Sequence, residues 1–183
     1  MGGMRNQLRE HTKSSHAQLD SFVGSIEPFN SRDGYACYLQ GMYWLYQAYA
    51  PAYDLASSAA GLRPVSGIHQ ANIVADLGRL PLAKPELADS ISLEQQIAVG
   101  YVLEGSAMGA RYMIKTVTEA SFSTSYLELL VEESYQRWPR LVEWLDEVET
   151  EADENKAIGF AKQVFETAQQ SFSESASELG LTQ

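Results

Sequence analysis

Apolar positions along this 183-residue chain recur at three- and four-residue spacing from end to end, the period of helices with one buried face. The first such stretch, about Arg5 to Val23, lines up Leu8, Leu19, Phe22 and Val23, and Gly24 followed by Pro28 reads as its stop signal. A second begins after Ser31 and carries Tyr35, Tyr38, Leu39, Met42, Tyr46 and Tyr49 at helical spacing. Pro51 is expected to kink or end it. Ser57, Ser58, Gly61, Pro64 and Gly67 read as loop chemistry, with His69 in the same loop, before a shorter amphipathic piece around Ile73, Leu77 and Leu80. A connection with Pro81 and Pro85 follows over 81–88. Ser92 with Gln95 predicts a capping box at the start of a long helix reaching about Val117. Phe122 to Ser125 breaks the pattern. Two or three further helices follow, one with Trp138, Leu141 and Trp144, the last with Ile158, Phe160, Val164, Phe165 and Phe172. No strand-like alternation is sustained, and no repeat or low-complexity tract interrupts. The pattern predicts an all-α, single-domain bundle over 1–183, with residues 1–4 set aside as an appended or disordered start.

Composition narrows the chemistry. A hydrophobic share of 45% with 20% charged residues is that of a soluble globular protein. The single cysteine, Cys37, excludes an internal disulfide framework and fits a reducing compartment. With no apolar run near the roughly 20 residues of a bilayer span and no secretory leader, the expectation is a cytoplasmic protein. A net charge of −11 disfavours nucleic acid and anionic membrane as partners. The three histidines and one cysteine form no zinc-ligand cluster. Charge is unevenly placed: Arg5, Arg9 and Lys13 share the first helix, whereas Glu132, Glu133 and Glu143 to Glu154 crowd the later third as a solvated face. A basic rim on an acidic protein suits a negatively charged small molecule.

The first helix carries the sharpest chemical signal. At roughly 100° per residue, Arg9, Lys13, His16 and Asp20 fall within about 60° of one another beside the apolar stripe. Asp20, one turn beyond His16, is placed to accept a hydrogen bond from the imidazole Nδ1. That bond leaves Nε2 unprotonated and outward, the state that ligates a metal. The alternative is an incidental histidine at the seam of an ordinary helix. A second signal lies in the long helix, where Gly100, Gly105 and Gly109 interrupt good helix formers at about 1 kcal/mol each relative to alanine. Gly105 and Gly109, with Ser106 and Ala110 beside them, present a strip of bare backbone. Such a strip admits either a closely packed neighbouring helix or a flat ligand lying on the backbone.

Two motifs together resemble a known family. Leu8-Arg9-x-x-Thr12-x-x-x-His16-x-x-Leu19-Asp20 and Tyr101-Val102-Leu103-Glu104-Gly105-Ser106-x-x-Gly109 resemble the proximal and distal helices of the heme oxygenases, nearest their bacterial, biliverdin-producing branch. Asp76-Leu77-Gly78-x-Leu80 and the Trp138 helix follow the same order. The resemblance implies heme held between the two helices, as both cofactor and substrate. His16 matches the axial iron ligand and Asp20 the carboxylate that orients it. Arg9, assisted by Lys13, matches a basic residue near a heme propionate, and Gly105 and Gly109 match the distal glycines. Ser106 stands where animal enzymes have an aspartate that organises water. By the same resemblance Tyr46 belongs to a distal hydrogen-bond network, its alternative being a plain core position; Tyr101 lies on the propionate side, and Lys162 supplies a further basic position. Glu166 falls where some relatives are basic, which leaves the regiochemistry of ring opening undetermined.

The activity so implied is cleavage of heme to biliverdin, carbon monoxide and ferrous iron by O2. Electrons would come from an external donor such as a ferredoxin or a reductase. A heme carrier that does not degrade its cargo fits the same residues. A di-iron site lacks its helical Glu-x-x-His pairs. A thiamine-degrading site would need Cys37 as a nucleophile, and its position suits a buried structural thiol better.

Overall fold

The computed structural model describes residues 3–81, 90–117 and 122–181. Among them are six α-helices and no strand: α1 (Met4–Ser25), α2 (Arg32–Ala59), α3 (Ser66–Leu77), α4 (Leu93–Met113), α5 (Ser125–Glu147) and α6 (Glu154–Glu178). The all-α reading of the pattern holds.

Several boundaries differ from the sequence reading, each for a local reason. Met4 is not part of a loose start; it opens α1 and is fully buried in the core with Leu8. Gly24 does not stop α1, because its φ is not positive and Ser25 closes the last turn before Ile26 turns inward. Pro51 neither ends nor replaces a turn of α2, which continues to Ala59. It lies on the exposed side, where the carbonyl that loses its hydrogen bond faces solvent rather than the core. Ser57 therefore sits in the last turn of α2 and is buried. Likewise Ser66, Gly67 and His69 belong to α3 rather than to a loop. Most of the predicted 81–88 connection lies outside the described residues.

Other signals hold. Ser31 caps α2, its Oγ accepting from the Gly34 N–H at 3.0 Å. The Ser92–Gln95 capping box is present in both directions, at 2.8 and 3.2 Å. Gly78, at φ +66°, supplies the left-handed residue that ends α3. Asp76 then does more than its position suggested. It accepts from the backbone N–H of Ser125 and Tyr126 and from the hydroxyls of Ser123, Ser125 and Tyr35. An α3 carboxylate thus caps the first turn of α5, where donors are otherwise orphaned and the helix dipole favours negative charge.

The main core cluster draws on all six helices, and a small second one joins Ile26, Cys37 and Ala176. α2, α4 and α6 pack on one another, α5 lies against α4, and α1 lies along α6 with lighter contacts to α5 and α4. Because α1 leans away from α4, a cleft opens between them. Among the described residues no helix is long and apolar enough to cross a membrane.

Candidate functional site

The cleft has a volume of about 1340 Å³ and is walled by α1 on one side and α4 on the other. α1 contributes Arg5, Arg9, Lys13, His16 and Asp20; α4 contributes Tyr101, Gly105, Ser106 and Gly109. Eight of the predicted site residues therefore line one cavity: Arg9, Lys13, His16, Asp20, Tyr101, Gly105, Ser106 and Gly109.

The helical spacing of His16 and Asp20 produces a hydrogen bond of 2.9 Å between Nδ1 and the carboxylate. An ionised carboxylate only accepts, so Nδ1 carries the proton and Nε2 keeps its lone pair. The ring of Phe165 meets the imidazole edge-on at 5.8 Å and restricts its rotation. The side chain is 58% exposed.

The geometry separates the two readings of the glycine strip. A Cβ on Gly105 would meet only Trp138, at 3.8 Å, and one on Gly109 only Met113, at 3.9 Å, both ordinary contacts. Gly100 is different: its Cβ would stand 3.0 Å from Leu141 and 3.1 Å from Ala56. Gly100 is the helix-packing glycine, whereas Gly105 and Gly109 leave their space to the cleft. Ser106 turns its hydroxyl back to the Leu103 carbonyl at 2.7 Å, so only its oxygen lone pairs remain for a partner.

Tyr101 ties the basic rim together. Burial holds its hydroxyl above the ordinary phenol range, opposed by a hydrogen bond to Thr12 and by the charges of Arg5 and Arg9. Trp138 closes that end, its ring 6.1 Å from Tyr101 and 5.7 Å below the Arg5 guanidinium. A flat anion with apolar faces matches this lining of glycines, aromatics and basic groups at one end.

Two predicted residues lie elsewhere. Lys162 does not line the cleft; α6 turns Phe165, Ala168 and Phe172 toward it and leaves Lys162 and Glu166 exposed on other faces. Tyr46 is fully buried behind the wall formed by Met42 and Leu45. Its hydroxyl donates to His69 Nδ1 at 2.9 Å and accepts from Tyr126 at 3.2 Å. His69 Nε2 donates in turn to Glu133 at 2.8 Å, which also receives Arg63 at 3.1 Å. Beside this chain Glu104 accepts from Tyr53 at 2.7 Å and from Arg137 at 2.7 and 2.8 Å. Arg137 also reaches the Ser57 hydroxyl and the Arg63 carbonyl. Sequence reasoning missed this network. One signal was available: Val65, His69 and Ile73 fall on one stripe at four-residue spacing, which places the imidazole inside.

Comparison with known proteins bears on the family. No family model matches the chain. Heme oxygenase PigA of Pseudomonas aeruginosa is 29% identical over 157 residues, covering 79% of this chain and 78% of that protein. The heme oxygenase of Neisseria meningitidis, solved in NO- and CO-bound forms, superposes with a TM-score of 0.80 at 21% identity, over 100% of this chain and 94% of that one. The fold is that of a heme oxygenase. The chain is related to the heme oxygenases.

Proposed function

We propose that this chain is a heme oxygenase: it binds heme in the α1–α4 cleft and opens the macrocycle with O2 and external electrons, releasing biliverdin, carbon monoxide and ferrous iron. The observation that carries the reading is the pairing, in one cavity, of an imidazole held by Asp20 with a helix face that bears no side chains. Heme, when bound, supplies both the redox-active iron and the ring that is oxidised.

The protein's own residues account for binding and orientation. His16 would hold the iron through Nε2, with Asp20 fixing its tautomer and ring direction. Arg9 and Lys13 pair with the two carboxylates, with Tyr101 and Arg5 alongside. Gly105 and Gly109 would let the macrocycle lie close to the α4 backbone, because no side chain stands in that part of the cleft. The Ser106 oxygen, its proton given to the Leu103 carbonyl, offers an acceptor to that side of the cleft. Lys162 and Tyr46 take no direct part. The external donor, a ferredoxin or a reductase, docks on the Arg5–Lys13 rim, the basic patch of an acidic protein. A cytoplasmic location suits the single buried thiol, Cys37.

Hemin supplied with ascorbate or a reduced ferredoxin in air tests this reading. The expected result is loss of the Soret band with release of carbon monoxide and a bilin. Stable binding without carbon monoxide would identify a carrier instead, and no binding would remove the assignment.

A further inference from the structure

Gly41, in the first half of α2, is the most tightly packed of the described glycines. A Cβ there would overlap Phe172 Cδ1 and stand 2.6 Å from Cε1 and 3.0 Å from Cγ. The neighbour is a rigid ring, so it would have to move bodily. Phe172 stacks on Tyr38 at 5.7 Å and 11°, and Tyr38 meets Phe29 edge-on at 5.7 Å. All three rings line the cleft.

The register of α1 on α6 locates this aromatic wall. His16 lies beside Phe165, and Ile26 clusters with Ala176, so the two helices advance together. Phe172 therefore sits about 10 Å along α6 from the Phe165–His16 contact, toward Pro28 and away from the Arg5–Arg9 end. We propose that Gly41 is a specificity-determining position. By seating the Phe172 ring against α2, it sets the depth of the cleft at the end remote from the basic rim, where the carboxylate-free edge of the macrocycle rests. Any side chain at 41 must displace the ring, and because Phe172 and its stacking partner Tyr38 both line the cleft, the cleft wall changes with it. This rests on the reading of the cleft as a heme site.

Full-length protein is titrated with hemin, melted, and then turned over with reductant in air to read the ratio of biliverdin isomers. Gly41→Ala is expected to bind hemin about tenfold more weakly or worse, the scale of an overpacked contact. Phe172→Leu alone is expected to retain binding with an altered isomer ratio. Gly41→Ala with Phe172→Leu should recover most of the lost affinity, the coupling of two groups in contact, and the isomer ratio is the readout that a merely structural glycine would not move. Gly41→Ala binding as the wild type does would overturn the inference. So would an unchanged isomer ratio in Phe172→Leu, which decides the matter even if Gly41→Ala does not fold. Failure of the wild type itself to bind hemin would instead remove the underlying heme reading.

Discussion

Two histidines show how differently the two halves of this bundle treat the same side chain. His16, on α1, has one nitrogen tied to Asp20 and the other open to a large cleft. His69, on α3, is 1% exposed and has both nitrogens occupied, one by Tyr46 and one by Glu133. A buried polar group must have its partners, and a fully partnered imidazole has no lone pair left to offer a ligand. The cleft half leaves valences and volume unfilled, while the buried network spends nearly all its polar groups on one another, Glu104 Oε2 being the exception. The proposed function belongs to the first and rigidity to the second.

The comparison is broken most severely by removing the centre of the buried half. Arg137→Met leaves the buried Glu104 carboxylate with Tyr53 as its remaining partner. The expected cost is about 3–5 kcal/mol in denaturant unfolding. Any protein that still folds should keep its hemin affinity, because neither residue lines the cleft.

A smaller break is His69→Phe, which strips Tyr46 and Glu133 of a partner at about 1–3 kcal/mol. Its pH signature has a definite sign. Burial would raise the Glu133 carboxyl, but the hydrogen bond from His69, with Arg137 and Arg63, holds it below the ordinary 4.5. A depressed carboxyl stabilises the fold above its unfolded value, and that contribution is lost as pH falls through the folded one. Glu133→Gln should therefore show a shallower loss of stability below about pH 4.5, measured by urea midpoints across the acid range.

The glycines of α4 sharpen the contrast within one helix. Gly105→Ala and Gly109→Ala are expected to raise stability by about 0.5–1 kcal/mol, because alanine is the better helix former and the added methyl meets nothing tight. Both should weaken hemin binding. Gly100→Leu, aimed at Leu141 and Ala56, should unfold the protein. Equal thermal shifts at 100 and 105 would show that the strip is a packing device throughout.

The all-α class, the two motifs and the convergence of eight of the ten predicted site residues on one cavity were legible because each depends on spacing within a single helix. What stayed hidden depends on contacts between helices. Asp76 reaches α5 across 49 or more residues, and His69 finds Glu133 64 residues away. Tyr46 illustrates the limit. Its helical phase placed it inward but left open whether inward meant the cleft or the network behind it. Lys162 shares its helix with Phe165 yet projects from a different face, a difference that only the seating of α6 on α1 reveals.

The smallest expected effect is at the rim. Arg5 and Lys13 are each at the mouth of the cleft, and charge reversal there should change stability by less than about 0.5 kcal/mol. Arg5→Glu and Lys13→Glu should nevertheless slow ferredoxin-driven turnover more than ascorbate-driven turnover, most clearly at low salt. Equal slowing with both reductants would place the donor elsewhere.

Hemin titration of the wild type, His16→Ala and His69→Phe, followed by absorption and electron paramagnetic resonance, tests the central claim most directly. The account predicts a one-to-one complex with an axial imidazole in the wild type and in His69→Phe. It predicts loss of that signature in His16→Ala, with recovery on adding free imidazole. A His16→Ala spectrum identical to that of the wild type would contradict it.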